Sequence, residues 1–417
     1  MDQHVDQPLE ARRASRVTAA LLPIMGVVFV AFLVIGLAMP VLPLHVHDRL
    51  RFGSFVVGLI AGSQFAVALV SRPWAGHYAD RRGPKRAVML GLLAAALSGL
   101  LYLLSLRFVL APSISVAILL LGRALLGAAE SVIITGAVTW GLALVPEQST
   151  GKVIAWVGAA MFGAFAIGAP LGAALYAARG FTAIAAATAV APVATLLLAA
   201  PLRGVAPLPQ ARPSFIRMIR AVWVPGLGSA LSSVGFGAIT AFVVLLFAQQ
   251  GWSCGWLAYT VFATAFIATR LTLGHLPDRL GGAKVALACV LIEAAGLATI
   301  WLAGGPALAL GGAALSGIGY SLVYPGLGIE AVRRVPPQSR GLAMAAYTAF
   351  LDVALGFGTP ALGLVAGPAG LGGVFLASAA AALLSAAVAA RLLMAPASGG
   401  LYPRSASIDG RAHADAR

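Results

Sequence analysis

The chain contains 417 residues, of which 60% are hydrophobic and only 10% are charged. Soluble proteins carry roughly a quarter charged residues, so this composition excludes an ordinary soluble protein and indicates a chain embedded in lipid. The formal net charge of +15 does not indicate a nucleic-acid-binding protein, because the basic residues are scattered over many short segments without a long basic face.

Apolar runs long enough to cross a bilayer as helices occur twelve times, in two sets of six. The sequence therefore predicts an all-α membrane protein with twelve transmembrane helices in two six-helix pseudo-repeats. In chain order, the runs lie at about 17–45, 54–78, 87–106, 113–144, 152–177, 181–202, 220–247, 255–276, 284–304, 306–329, 341–366 and 371–394. The predicted parts are a tail at 1–16, a bundle at 17–202, a Pro- and Arg-rich linker at 203–219, a bundle at 220–394 and a disordered tail at 395–417.

The distribution of basic residues predicts the orientation of the chain. Of the 28 Lys and Arg residues, 21 fall on the side of the N-terminus, four on the opposite side and three within the runs. Because positive residues accumulate in cytoplasmic segments, both termini and the linker are predicted to be cytoplasmic.

Two polar segments, GHYADRRGPKR at 76–86 and GHLPDRLGGAK at 274–284, are copies of one another. A shift of 198 residues superposes the Arg, Gly, His, Asp, Arg and Gly that begin at Arg72 on those that begin at Arg270. A shift of 190 superposes VPEQSTG at 145–151 on VPPQSRG at 335–341. Two related halves of parallel topology are typical of secondary transporters built from repeats.

Over about residues 17–394 the chain resembles the major facilitator superfamily. Its loop motif after the second helix, a Gly, three residues, Asp-Arg, one residue and Gly before basic residues, stands here at 76–86 with Pro84 where a basic residue is common. The resemblance implies a cytoplasmic latch that stabilises the outward-facing state; a loop that only fixes topology is the alternative. The predicted latch residues are Gly76, Asp80, Arg81, Gly83, Lys85, Arg86, Gly274, Asp278, Arg279 and Gly281. Arg72 and Arg270 are expected to join the latch or to extend to the cytoplasmic surface.

Two further segments strengthen the resemblance. LGRALLGAAES at 121–131 is similar to the family's fourth-helix motif. GAPLG at 168–172 resembles the fifth-helix motif of its antiporters, with Gly168, Pro170 and Gly172 as the packing residues, although Ala169 splits the Gly-Pro pair. Together these segments resemble a bacterial branch labelled arabinose-efflux-permease-like or drug:proton-antiporter-like, which implies export.

Charged residues inside the runs are the candidate proton-coupling groups. Arg123 and Glu130 share one face of the fourth helix, and Asp352 lies in the middle of the eleventh. Charge in a membrane is costly, so these residues indicate a function, with a structural ion pair as the alternative. Loss of water disfavours an ionised carboxylate, which suits Asp352 and Glu130 to carrying a proton, with Arg123 as their charge partner. Asp352 could instead be a partner to Arg123 or a helix cap.

Other polar residues have less specific roles. Gln64, Tyr320 and Tyr324 are candidates to line a substrate cavity, or else to bond helices together. Glu293 is expected to form a structural pair or to face lipid, and Glu330 to pair with the arginines that follow it. No metal-ligand cluster, cofactor motif or catalytic constellation stands out, so the sequence predicts neither an enzyme nor a metal or cofactor site.

The sequence thus predicts a secondary transporter of the bacterial inner membrane that exports a small organic solute, sugar-like or drug-like, by proton-coupled alternating access. The expected partners are the solute, protons and the lipid bilayer, with no nucleic acid, and the expected state is a monomer. A proton-coupled importer of a sugar or organic acid is the alternative transporter. A membrane sensor or assembly partner without transport activity is the alternative of another class.

Overall fold

The computed structural model describes residues 7–145, 150–206, 215–336 and 340–394, and in these ranges the chain is almost entirely helical. The predicted disordered tail at 395–417 lies outside the described residues, as do 146–149 and 337–339 of the repeated segments and 207–214 of the linker. The long helices are α1 (Gln7–Ala38), α2 (Ser54–Arg82), α3 (Pro84–Ser105), α4 (Pro112–Leu144), α5 (Thr150–Arg179), α6 (Phe181–Ala199), α7 (Phe215–Gln249), α8 (Gly255–Leu273), α9 (Gly282–Trp301), α10 (Pro306–Val332), α11 (Arg340–Val353) and α12 (Thr359–Met394).

Within the described residues, eleven segments are long and apolar enough to cross a membrane, and the last of them, Leu342–Met394, is 53 residues long. A continuous helix of that length would be about 80 Å long, against a hydrocarbon core of about 30 Å. The segment instead breaks at Gly370, whose φ of 69° is non-helical, so it crosses twice. The predicted twelve-helix all-α fold is therefore confirmed.

Helix ends follow local sequence. Gly83 and Gly281 lie within the two copied polar segments, directly before α3 and α9, and have φ values of 93° and 96°, a region that favours glycine. The Pro84 ring then fits the first position of α3, where no intrahelical N–H partner is needed. Two boundaries differ from prediction, because α1 already begins at Gln7 and α7 at Phe215. Charged side chains are compatible with a helix that extends beyond the bilayer, so apolarity alone does not reveal these ends.

The two halves meet along α2 against the segment formed by α11 and α12, and along α5 against α8. On the first of these contacts, glycines bring the backbones together. A Cβ added at Gly62 would lie 2.7 Å from the carbonyl oxygen of Gly356, and one at Gly58 would meet the backbone of Thr359. A short π-helical turn, Ala354–Gly358, interrupts the helix at this contact. The N-terminal half of α2 is therefore closed against the middle of the α11–α12 segment.

Candidate functional site

The centre of the interface between the halves contains a buried ion pair. Arg72 on α2 donates from Nε to Asp352 Oδ2 at 2.5 Å and from Nη2 to Oδ1 at 2.9 Å. The Asp352 side chain is 3% exposed and that of Arg72 is 21% exposed. This bidentate geometry is the strong form of an Arg–carboxylate contact. The pair joins the first half of the chain to the second.

This pair corrects two expectations drawn from the sequence. Arg72 does not extend to the cytoplasmic surface. Its guanidinium points instead into the interface between the halves, towards Asp352. Asp352 pairs with Arg72 rather than with Arg123. The spacing of charges along the chain could not reveal this partner, because it depends on how closely α2 and α11 approach.

Glu130 lies beside this pair within the first half. Gln64 Nε2 on α2 donates to Glu130 Oε2 on α4 at 2.5 Å. Glu130 is also within electrostatic range of Asp352, Arg72 and Arg123. A close contact between helices supports this arrangement, because a Cβ at Gly127 would collide with the backbone of Gln64. Gln64, a cavity candidate from sequence, thus orients a candidate proton carrier.

Arg123 is 3% exposed and lies near Ile60 in the N-terminal half of α2, where it lines a small, mainly apolar pocket. Its Nε contacts the carbonyl oxygen of Ile60 at 3.4 Å, which is long for a hydrogen bond. Its Nη1 has no hydrogen-bond partner among the described residues. Arg123 therefore acts on Glu130 through charge rather than through a direct bond.

A second polar cluster lies in the other half, around Arg270 on α8. Tyr320, Tyr324 and Tyr347 are all within electrostatic range of this guanidinium. Tyr324 Oη lies 2.6 Å from Thr348 Oγ1, and Tyr347 Oη donates to the backbone oxygen of Tyr324 at 2.9 Å. Tyr324 is also within range of Arg72 and Asp352, so the two clusters adjoin.

Two carboxylates stand apart from these clusters. Glu293, 1% exposed, accepts a hydrogen bond from Ser232 Oγ at 2.5 Å between α9 and α7. Glu330 pairs with Arg333 at 3.2 Å and with Arg334 at 3.8 Å near the end of α10. Both arrangements agree with the structural roles expected for them. No group of three or more metal-ligating side chains occurs in the part of the chain that the structure describes.

Comparison with known proteins identifies the family. A model of the Major Facilitator Superfamily matches residues 24–258 and 247–408. The chain belongs to the major facilitator superfamily. Its relatives include an uncharacterized MFS-type transporter of Salmonella typhimurium, 42% identical over 89% of this chain and 95% of the relative. Another, from Burkholderia mallei, is 40% identical over 96% of both chains. The fold is that of a D-xylose–proton symporter crystal structure, with a TM-score of 0.74 at 14% identity over 91% of this chain and 99% of the other.

As a superfamily member, the protein is a multi-pass membrane transporter of small molecules and not an enzyme. In the first superfamily loop, Lys85 Nζ donates to the backbone oxygens of Ala200 at 2.6 Å and Leu202 at 2.5 Å. Lys85 thus satisfies carbonyl groups at the end of α6, where a positive charge is favourable. The Arg81 and Arg86 side chains are exposed. In the second loop, Asp278 and Arg279 are likewise exposed.

The predicted antiporter-like segment packs α5 against α1. A Cβ at Gly168 would lie within 3 Å of the Gly36 backbone, and one at Gly172 would collide with the backbone of Leu37. Gly168 and Gly172 therefore set how closely α5 approaches α1. Pro170 lines a pocket of about 440 Å³ between the ends of α1, α5, α7 and α8.

Proposed function

We propose that the protein couples proton movement to the export of a small organic solute by alternating access at the bacterial inner membrane, as a monomer with both termini cytoplasmic. The observation that carries this proposal is the Arg72–Asp352 ion pair, because it joins the two moving halves through a carboxylate that can be protonated. Protonation of Asp352 removes its negative charge and weakens the contact between α2 and α11.

Glu130 supplies a second protonation site in the same network. Glu130 interacts electrostatically with both members of the ion pair, so a change in the charge of Glu130 alters the strength of the contact between the halves. Gln64 fixes the carboxylate through one oxygen. A proton taken up at Glu130 or Asp352 therefore changes the relative stability of the states that open to either side. During this transport cycle the copied loops serve as the cytoplasmic latch, around Asp80 and Arg81 in the first half and around Asp278 and Arg279 in the second.

Export is favoured by the antiporter-like packing of Gly168 and Gly172 against α1. Import is the second candidate, because the cluster around the ion pair carries three arginines and two carboxylates. Protonation of a carboxylate there increases the excess of positive charge. A proton and a negatively charged solute would then favour each other's binding, which suits cotransport.

The test uses inverted membrane vesicles with an acidic interior, a pH-sensitive dye and a panel of sugars, organic acids and amphipathic drugs. We expect a solute added outside to dissipate the gradient in the wild type, and to fail in Glu130→Gln and Asp352→Asn. Glu293→Gln is the matched control, since it neutralises a buried carboxylate that lies outside the network.

Three outcomes would contradict the proposal. Undiminished dissipation in both Glu130→Gln and Asp352→Asn would remove proton coupling from these residues. Dissipation that occurs only when the solute is loaded inside the vesicles would reverse the direction and establish the importer. Turnover of a solute to a new compound without accumulation would contradict transport altogether.

A further inference from the structure

Arg270 is a cation at the interface between the halves, and none of the described residues serves as its acidic partner. No carboxylate of a described residue is recorded within 4.0 Å of its guanidinium, and its Nε has no hydrogen-bond partner among these residues. Its guanidinium carbon instead lies 5.3 Å from the centre of the Phe266 ring. Burying an unpaired cation in a membrane protein costs free energy, so binding of an anion at this position would be favourable.

The internal repeat shows which partner is missing. The shift of 198 residues places Arg270 in the position that Arg72 holds in the first half, and Arg72 is paired with Asp352. The shift of 190 places Phe162 in the position of Asp352. Phe162 stacks on Phe266 at 3.8 Å between ring centres, and Phe266 is the ring that Arg270 contacts. The second interface therefore keeps the arginine, here Arg270 of the second half, and has an aromatic ring of the first half, Phe162, in place of the carboxylate.

Arg270 also keeps part of its surface exposed to solvent. It is only partly buried, and Phe162 belongs to α5 of the opposite half, so the guanidinium lies at the interface between the halves rather than on the lipid-facing surface. Tyr324 interacts electrostatically with Arg270 as well as with the Arg72–Asp352 pair. A ligand on Arg270 is thus adjacent to the ion pair that joins the halves.

We propose that Arg270 binds the carboxylate of the transported solute, which is an organic monoanion with an apolar or aromatic body. A guanidinium binds a carboxylate through two parallel hydrogen bonds, a geometry that a neutral solute cannot reproduce. With Glu130 and Asp352 both ionised, the three arginines of the network leave one unbalanced positive charge, which one carboxylate neutralises. The stacked rings of Phe162 and Phe266 offer apolar surface beside it.

This inference rests on the proposed transport function but not on its direction. The test measures binding to the purified full-length protein by calorimetry, using benzoate, nicotinate and salicylate, each compared with its uncharged amide. We expect the wild type to bind at least one anion more tightly than the matching amide. Arg270→Gln should weaken anion binding by about tenfold or more, because it removes a charge-assisted contact, and should leave amide binding unchanged. Arg391→Gln, which neutralises an exposed arginine near the end of α12, is the control.

A second variant tests the geometry if Arg270→Gln fails to fold. Phe162→Asp places a carboxylate at the position equivalent to Asp352. This carboxylate should pair with Arg270 and compete with a bound anion, and so should weaken anion binding by about tenfold or more. Phe162→Asn controls for loss of the ring. Equal affinity for anions and amides, or unchanged anion binding in Arg270→Gln or Phe162→Asp, overturns the inference.

The failure of this inference can be distinguished from failure of the proposed function. Anion binding to Arg270 without any solute-dependent proton movement in vesicles would leave the inference standing and contradict proton coupling. Proton-coupled movement of neutral or cationic solutes that is unaffected by Arg270→Gln would leave the transport function standing and contradict the anion site.

Discussion

The ion pair between Arg72 and Asp352 should control how readily the outer side of the interface opens. Both hydrogen bonds of the pair cross between the halves, at 2.5 and 2.9 Å, so its loss destabilises the contact between halves rather than either bundle. Breaking a fully buried pair costs about 3–5 kcal/mol. Because the Arg72 side chain is 21% exposed and can recover some hydration, about 1.5–3 kcal/mol is the better estimate. That corresponds to roughly a 10- to 100-fold increase in the open population.

Thiol labelling measures this population. Thr359 at the start of α12 is 2% exposed and packs against Gly58 of α2 and Gly237 of α7. Because a maleimide cannot reach this buried position, Thr359→Cys should react only when the outer side of the interface opens. The native thiols, exposed Cys254 and buried Cys289, are first replaced by serine. When opening and closing are fast relative to labelling, the labelling rate follows the open population. We expect Asp352→Asn to accelerate labelling by about 10- to 100-fold.

The double variant separates the pair from other effects of each substitution. If the two side chains act through each other, Arg72→Gln combined with Asp352→Asn should accelerate labelling by much less than the product of the single effects. Glu293→Gln should leave the labelling rate unchanged. Wild-type labelling rates in both Arg72→Gln and Asp352→Asn would refute the assignment of this pair as a lock between the halves.

Three further predictions concern packing, capping and exposed charge. Gly127→Ala should lower the melting temperature and abolish transport, because its Cβ would collide with the backbone of Gln64. Gly26→Ala should do neither, because nothing lies within 4 Å of the added Cβ. Thermal melts followed by size-exclusion chromatography measure the melting temperatures of the two variants. Lys85→Met should lower the melting temperature by removing about 1 kcal/mol of capping from the end of α6, while Arg86→Met, at an exposed position, should not. Glu330→Gln should change stability by less than about 1 kcal/mol, because one of its partners, Arg333, is 63% exposed. A larger loss in a denaturation series would contradict that last estimate.

The fold could be predicted from the sequence because bilayer thickness imposes long apolar runs, and each run is visible. The copied segments place Gly83 and Gly281 at matching positions, and in the structure both adopt positive φ. Helix ends beyond the membrane were less predictable. Gln7 and Phe215 begin helices in polar surroundings, where hydrophobicity gives no boundary.

The partners of the intramembrane charges could be predicted only in part. Asp352, Glu130 and Arg123 attract attention because charge in lipid is costly. Which of them meet depends on the approach of α2 to α11, and that approach is set by glycines at contacts far apart in sequence, such as Gly62 and Gly356. The Arg72 partner of Asp352 was therefore missed.

The sequence signal that could have revealed the interface roles of Arg72 and Arg270 is the comparison of the two halves. Residues that the repeats share serve what both halves need, such as the turns at Gly83 and Gly281. Residues that differ at equivalent positions break the symmetry between the two interfaces. Asp352 and Phe162 differ in this way while their neighbouring arginines are kept. One interface then closes through a protonatable ion pair and the other leaves its arginine unpaired. In the proposed mechanism the proton and the solute need two unlike sites, and the difference between Asp352 and Phe162 would provide them from one repeated arrangement.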